Sequence, residues 1–141
     1  MLKAAGACIV AKDTKRILLQ QRSLDGSYPR TWGFWGGKVE PKENVSQGML
    51  REVGEEVGVD ILEYIHKIYP YDQYHSRDSE FSYYTFVVIV ENEFIPNINE
   101  ETGGYAWVNV NYLPKPLHPG AKRTIFKKNK LADLKDIISN L

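Results

Sequence analysis

Short hydrophobic segments alternate with polar, turn-rich segments along the chain, and their spacing predicts several strands and a few helices. Two apolar segments near the N-terminus flank the polar linker 12–15, whose Asp-Thr pair is typical of a hairpin turn. Two later segments are rich in β-branched and aromatic side chains, which favour strands, and the second is long enough to be central in a sheet. The predicted strands are residues 3–11, 16–22, 61–71, 81–90 and 105–110.

Two stretches have the period of an amphipathic helix. Between residues 44 and 57 the apolar side chains fall within about 140° of arc at roughly 100° per residue, which predicts a helix. Gly58 follows this stretch and is expected to end the helix. Residues 131–141 show similar spacing and predict a C-terminal helix, which a proline-rich break at 114–120 separates from the last strand.

The connection between the second strand and the first helix is dense in turn-forming and aromatic residues. Residues 23–30 read as a loop, and the aromatic stretch 31–35 ends at Gly36 and Gly37, which indicates a tight backbone feature. No repeat, low-complexity segment or change in composition marks a second domain. The pattern therefore predicts one domain over residues 1–141, of mixed α/β or α+β class.

Composition excludes some function classes without naming one. Lysine and arginine together number 18, as do aspartate and glutamate, so the chain does not resemble a protein that holds DNA through an excess of positive charge. Cys8 stands alone in an apolar run and is expected to be a small core residue. No apolar run approaches the roughly 20 residues of a membrane-spanning helix, so we expect a cytoplasmic protein without a membrane partner.

The helix predicted from residue 44 carries a cluster of carboxylates. Glu52, Glu55 and Glu56 have i, i+3, i+4 spacing, which places them on one helix face with Cβ atoms about 5–6 Å apart. Between residues 43 and 60 one basic residue stands against five acidic ones, a local charge of −4. Two charges 5 Å apart repel by about 3 kcal/mol at an effective dielectric near 20. The cluster is either a solvated acidic face or a site for a hard divalent cation such as Mg²⁺ or Mn²⁺.

The context of these carboxylates favours the cation site. The segment 37–59 matches the pattern G-x5-E-x7-R-E-U-x-E-E-x-G-U, in which U is an apolar residue. Its matching residues are Gly37, Glu43, Arg51, Glu52, Val53, Glu55, Glu56, Gly58 and Val59. The sequence thereby resembles the Nudix hydrolases, the MutT-like proteins. One departure is Trp35, which stands where relatives commonly have proline.

This resemblance implies a fold, a metal site and a reaction. The expected fold is a single-domain Nudix α/β/α sandwich with a mixed central sheet and a catalytic loop-helix-loop, and homodimers are frequent in the family. The implied metal ligands are Glu52, Glu55, Glu56 and the carbonyl of Gly36, with Mg²⁺ as the cofactor and Mn²⁺ as a possible substitute. Water activated by the ions would attack one phosphorus of a phosphoanhydride.

The roles of Glu43 and Arg51 and the identity of the general base have more than one interpretation. Glu43 and Arg51 are expected to pair or to cap the loop, a structural role shared with Gly37 and Gly58, although Arg51 could also act directly. The general base is either a glutamate of the helix or Glu101, which precedes the strand around Trp107 as a glutamate does in relatives.

Three further positions are candidates for substrate binding. Arg22 resembles a phosphate-binding position of the family, but it is equally a strand-end surface arginine. Trp32 could stack on a base or belong to the core, and Gly37 would allow close approach of the backbone to phosphate. The basic stretch 122–130 reads as a solvated helix face, with a phosphate or RNA contact as the alternative.

The predicted function is Mg²⁺-dependent hydrolysis of a nucleoside diphosphate linked to another moiety. The candidate substrates are a (d)NTP, ADP-ribose, a dinucleoside polyphosphate and a nucleotide sugar. One alternative is a nucleotide-binding module without activity, which the complete set of carboxylates disfavours, and another is a pyrophosphohydrolase of RNA 5′ ends. Selectivity is expected to lie in the loops 23–35, 71–80 and 114–120.

Overall fold

A computed structural model describes all residues from 1 to 141. It contains seven strands, three α-helices and a single 3₁₀ turn at Ile61–Glu63. The strands are β1 (Leu2–Ala11), β2 (Ile17–Arg22), β3 (Trp32–Gly33), β4 (Trp35–Lys38), β5 (Ile65–His75), β6 (Phe81–Val90) and β7 (Thr102–Val108). The helices are α1 (Val45–Val57), α2 (Pro119–Ile125) and α3 (Lys130–Ser139).

The strands form one mixed sheet centred on β1. The main order is β3-β2-β1-β6-β5, while β4 also pairs with β1 and β7 also pairs with β2. The β1–β6 pair is parallel and runs from Leu2 opposite Phe81 to Ala11 opposite Val90, whereas β1–β2 and β5–β6 are antiparallel. The mixed sheet expected from the sequence is confirmed.

Both faces of β1 are buried, and alternate residues of the strand belong to different cores. Ala5, Ala7 and Ile9 join the core that includes Met49 and Val53 of α1. Residues of the opposite parity, Cys8 and Val10, join a second core completed by Leu134 and Ile138 of α3. Since successive side chains of a strand point to opposite faces, α1 and α3 cover the two sides of the sheet. The α/β/α sandwich is therefore confirmed, and Cys8 is a buried free cysteine as expected.

Helix α1 has a defined beginning and end. The side chain of Asn44 accepts a hydrogen bond from the Gln47 N–H, and the Gln47 side chain accepts one from the Asn44 N–H, which forms a capping box. At the other end Gly58 adopts a left-handed conformation with φ of 70°, and its N–H donates to the Gly54 carbonyl. The helix that ends at Gly58 is thus confirmed, and these caps fix the rotation of the acidic face.

Some predicted bounds were wrong. The strand expected from residue 61 begins only at Ile65, because the 3₁₀ turn at Ile61–Glu63 comes first and buries the Ile61 side chain in the core of α1. The same strand continues through a bulge near Pro70 to His75, so part of the loop expected at 71–80 is extended and pairs with β6. None of the helices has the length and apolar character that a membrane crossing requires.

Gly54 within α1 and Gly58 at its C-terminal cap give a matched test of this geometry. At Gly58 a Cβ would collide with the Asn97 carbonyl in addition to the left-handed φ, whereas at Gly54 it would meet only the Ile61 side chain at 3.8 Å. We expect Gly58→Ala to lower the free energy of unfolding by at least ~2 kcal/mol and Gly54→Ala to raise it by about 0.5–1 kcal/mol. Urea unfolding measures both, and equal effects of the two variants would contradict the assigned end of the helix.

Candidate active site

The glycine pair lets the acidic face of α1 lie directly against β4. A Cβ on Gly37 would overlap the Glu52 carboxylate, and a Cβ on Gly36 would overlap the carbonyl of Ala5 on the neighbouring strand. Gly36 also has a φ of 155°, a conformation that residues with side chains rarely adopt. Glycine at position 37 is therefore a steric requirement for bringing the Glu52 carboxylate against β4, and glycine at position 36 is one for the close pairing of β4 with β1.

Glu56 is the most enclosed carboxylate of the cluster. Its Oε1 accepts a hydrogen bond of 2.6 Å from the backbone N–H of Gly36. Burial raises the pKa of Glu56 to about 7; the Gly36 N–H opposes this shift, while the negative charge of Glu52 adds to it. The Gln20 side chain and the positive charge of Arg22 also oppose the shift without cancelling it, so a further positive charge nearby would stabilise the ionised carboxylate.

Arg51 partly balances the acidic face. Its guanidinium donates to both carboxylate oxygens of Glu43, over 2.8 and 2.9 Å, and to the carbonyl of Lys38 over 3.0 Å. The same group lies 3.0 Å from Glu52 and 3.6 Å from Glu55. Glu43 thus forms a bidentate ion pair with Arg51, in agreement with the pairing predicted from the sequence. This ion pair ties the loop before α1 to the helix.

The donors at this face are oxygen atoms, which is the type of ligand that a hard divalent cation prefers. Glu52, Glu55 and Glu56 supply carboxylates, and the Gly36–Gly37 backbone has no Cβ that would block an ion from the adjacent carbonyl. As the side chains stand, no three His, Cys, Asp or Glu residues converge to hold an ion. Glu52 and Glu55 instead contact Arg51, and Glu56 accepts the Gly36 N–H. Cation binding would therefore require these carboxylates to exchange partners by side-chain rotation.

Glu56 and Gly36 open into a cavity of about 390 Å³ between the sheet and α2. This volume falls in the range of small-molecule binding sites. Gln20 and Arg22 of β2 line it, as do Tyr83 and Thr85 of β6. The remaining wall includes the aromatic residues Tyr28, Phe34, Tyr74 and Phe81 and the α2 segment that contains His118, Pro119 and Arg123.

Arg22 lies in the cavity wall, but its guanidinium already has partners. Its Nε donates to the Ser27 carbonyl over 2.7 Å, and its Nη2 contacts the Ser27 hydroxyl at 3.0 Å. Arg22 therefore braces the loop that carries Tyr28 while it faces the cavity that Glu56 shares.

Among the predicted catalytic, metal and substrate-binding residues, Gly36, Glu56 and Arg22 line the cavity, whereas Gly37, Glu52, Glu55, Trp32 and Glu101 do not. Trp32 is half-buried and packs against the second core, while its neighbour Phe34 lines the cavity instead. Glu101 is exposed immediately before β7, one residue from Thr102, whose hydroxyl donates to Gln20 over 3.3 Å. Trp35, the residue at the departure from the family pattern, is fully buried, and its indole N–H donates to the Leu18 carbonyl.

Sequence reasoning missed several cavity residues. His118 caps α2 by accepting the Gly120 N–H at Nδ1, and its ring contacts Tyr28 edge to face with centroids 5.1 Å apart. Burial lowers the pKa of His118, and the nearby Arg22 and Arg123 lower it further. Gln20 could have been found from the two-residue period of β2, which places it on the same face as Arg22.

Comparisons with known proteins agree with this geometry. A model of the NUDIX domain matches residues 1–128. The chain is 29% identical over 111 residues to the nucleoside triphosphatase NudI of Escherichia coli O17:K52:H18, a match that covers 71% of this chain and 77% of that protein. It is 44% identical over 54 residues to the CTP pyrophosphohydrolase of E. coli K12, but that match covers only 38% of this chain and 39% of the relative.

Solved structures show the same fold. The Nudix hydrolase RenU of M. smegmatis superposes with a TM-score of 0.75 at 19% identity over 99% of this chain and 86% of the other. A MutT structure from work on Aliivibrio salmonicida and Vibrio cholerae superposes with a TM-score of 0.69 at 22% identity. The match covers 99% of this chain and 98% of the other. With the family model covering most of the residues and the complete motif folded into a loop-helix-loop, the chain belongs to the Nudix hydrolase family.

Proposed function

We propose that the protein is a Mg²⁺-dependent pyrophosphohydrolase that cuts a phosphoanhydride bond of a nucleoside diphosphate derivative. The observation that carries this proposal is that Glu56 of the family motif and Gly36, the residue just before the motif, form part of the wall of an aromatic cavity. Aromatic rings suit a nucleobase, and Arg22 in the same wall suits phosphate. Mn²⁺ is expected to substitute for Mg²⁺ because both prefer oxygen ligands.

Nucleoside triphosphates are the substrates that we expect first. The relatives named as a nucleoside triphosphatase and a CTP pyrophosphohydrolase support this class. The cavity of about 390 Å³ suits a nucleoside, while ADP-ribose, dinucleoside polyphosphates and nucleotide sugars share the same diphosphate core. The phosphates would lie toward Glu56, where a bound cation offsets the acidic face of α1.

The residues of this chain divide the work at the reacting phosphate. Glu52, Glu55, Glu56 and the Gly36 carbonyl are the proposed cation ligands. A divalent ion held by these ligands would supply positive charge to the phosphate oxygens and would lower the pKa of a bound water. Glu43 positions Arg51, which restrains Glu52 and Glu55. Gly37 leaves the space beside β4 that the Glu52 carboxylate occupies, and Arg22 in the cavity wall binds a phosphate oxygen.

Glu101 is our proposed general base. It is exposed at the start of β7 and is tied to the cavity wall through Thr102 and Gln20. Its exposure leaves the carboxylate free to accept a proton from water when substrate is bound, and it is not required as a cation ligand. A glutamate of α1 would have to serve both purposes.

A substrate panel with and without metal tests the proposed activity. We expect phosphate or pyrophosphate release from at least one nucleoside diphosphate derivative in Mg²⁺, loss of release in excess EDTA, and recovery with Mn²⁺. Product analysis by ion-exchange chromatography identifies the cleaved bond. Recovery of every compound uncut after long incubation with metal would indicate a binding module instead.

Substitution of Glu56 tests the proposed cation site. We expect Glu56→Gln to lower kcat by roughly 10³-fold, because the amide removes a charged ligand from the cation site. The fold should persist, since an amide oxygen can still accept the Gly36 N–H, so thermal unfolding serves as the structural check. Glu63→Gln, in the exposed residues of the 3₁₀ turn, is the matched control and should keep full activity. Wild-type turnover in Glu56→Gln would make the site assignment wrong.

The third prediction separates Glu101 from its neighbour. Loss of a general base is expected to lower kcat by about 10²–10⁴-fold, so Glu101→Gln should lose this much activity. Glu100→Gln should keep the wild-type kcat. If both variants keep the wild-type kcat, the base must be sought among the glutamates of α1.

A further inference from the structure

A basic groove of about 650 Å³ adjoins the cavity on the side of α2. Its lining consists of Asp72, Tyr74, Pro119, Lys122, Arg123, Phe126 and Lys127. Asp72, Tyr74, Pro119 and Arg123 line both the groove and the cavity, so the two are continuous. Neither Glu56 nor Gly36 reaches the groove, which therefore extends from the part of the cavity away from α1.

Positive charge in the groove exceeds negative charge. Three cationic side chains line it against the single carboxylate of Asp72, which Lys127 contacts at 2.7 Å. Lys122 and Arg123 are exposed and have no acidic side chain within 4 Å. The groove consequently has two cations available for an anionic ligand.

Aromatic surface accompanies this charge. The guanidinium of Arg123 lies 3.8 Å from the ring centre of Tyr74, which holds the cation in a fixed position at the junction with the cavity. The Phe126 side chain is 63% exposed and lines the groove but not the cavity, so its ring is accessible in the part of the groove away from the cavity. Cations interleaved with exposed rings are typical of surfaces that bind nucleotides in a single strand.

The direction of the groove selects which part of a substrate can enter it. If the 5′-phosphates lie toward Glu56, as the proposed function requires, the groove can be reached only from the base or from the 3′ side of the ribose. A base brings no negative charge, whereas a phosphate on the 3′ oxygen would meet Lys122 and Arg123. A second nucleotide attached through that phosphate would bring its base toward Phe126.

We propose that this groove is a subsite for a phosphate on the 3′ side of the bound nucleoside. Lys122 and Arg123 bind the phosphate, and Tyr74 fixes the Arg123 guanidinium. Two sources share this chemistry: a nucleotide with a terminal 3′-phosphate, and an oligonucleotide whose 5′ nucleotide occupies the cavity. The inference rests on the proposed function for the orientation of the 5′-phosphates.

Equilibrium binding tests the subsite without turnover. The probes are nucleoside 5′-monophosphates, the matching 3′,5′-bisphosphates and the 5′-phosphorylated dinucleotides, each in the four common ribonucleosides. None of them contains a phosphoanhydride bond, so Kd can be measured calorimetrically with Mg²⁺ present. For the base that binds best, we expect the bisphosphate to bind about tenfold more tightly than the monophosphate, as a charge-assisted phosphate contact would produce.

Two lysines on the same surface provide a matched pair of variants. Lys122→Gln should remove most of the difference in Kd between the bisphosphate and the monophosphate, because it removes a cation from the groove. Lys128→Gln removes an equally exposed charge nearby that does not line the groove, and should keep this difference. Equal losses in the two variants would mean that general electrostatics, and not a subsite, attract the phosphate.

The remaining outcomes separate the sources and the two proposals. If the dinucleotide binds more tightly than the bisphosphate and this difference is lost in Phe126→Ala, the natural ligand is an oligonucleotide. If the bisphosphate binds more tightly, the natural ligand is a nucleotide with a terminal 3′-phosphate. Equal Kd values for monophosphate and bisphosphate overturn the subsite even if the panel finds a hydrolysed substrate. A Lys122-dependent Kd difference in a protein that cuts nothing would uphold the subsite and reject the proposed activity.

Discussion

The close approach of α1 to β4 is the constraint on which the rest of the site depends. Gly37 leaves the space that the Glu52 carboxylate occupies, and Gly36 presents its N–H to Glu56. The partner strand takes part as well, because Gly6 of β1 pairs with Gly36 and a Cβ at Gly6 would collide with the Trp35 carbonyl and the Tyr83 hydroxyl. Three glycines thus remove the atoms that would otherwise separate helix, sheet and cavity.

Packing of the adjacent apolar stripe of the helix makes this approach possible. Met49, Val53 and Val57 are fully buried and spaced four residues apart, so they hold one stripe of α1 in the core. Glu52 and Glu56 are each adjacent to that stripe in the sequence and are carried into partial burial with it. The hydrophobic contact therefore stabilises an arrangement of carboxylates that their mutual repulsion would disfavour, and Arg51 offsets part of this repulsion through Glu52 and Glu55.

The parts of the molecule that could be predicted are those in which the relevant residues are close in the chain. Glu52, Glu55 and Glu56 lie within two turns of one helix, and the Glu43–Arg51 pair spans the loop just before it, so a local pattern was sufficient. The cavity was not predictable in the same way, because Gln20, Tyr83 and His118 meet only after β1 and β6 pair in parallel. Phe34 lines the cavity and Trp32 does not. This difference depends on how the chain crosses from β3 to β4, which the alternation of residues in so short a segment does not determine.

The parallel pairing of β1 with β6 also has a consequence for the order in which the protein is made. The first strand has its antiparallel neighbours β2 and β4 within the first 38 residues, but its parallel partner is complete only at Val90. During synthesis the motif helix therefore leaves the ribosome long before the sheet that supports it can close, and α3 covers the second face only at the end. Until then the apolar residues of β1 have one covered side at most, so the nascent chain exposes an apolar sheet face to solvent until its last helix has formed.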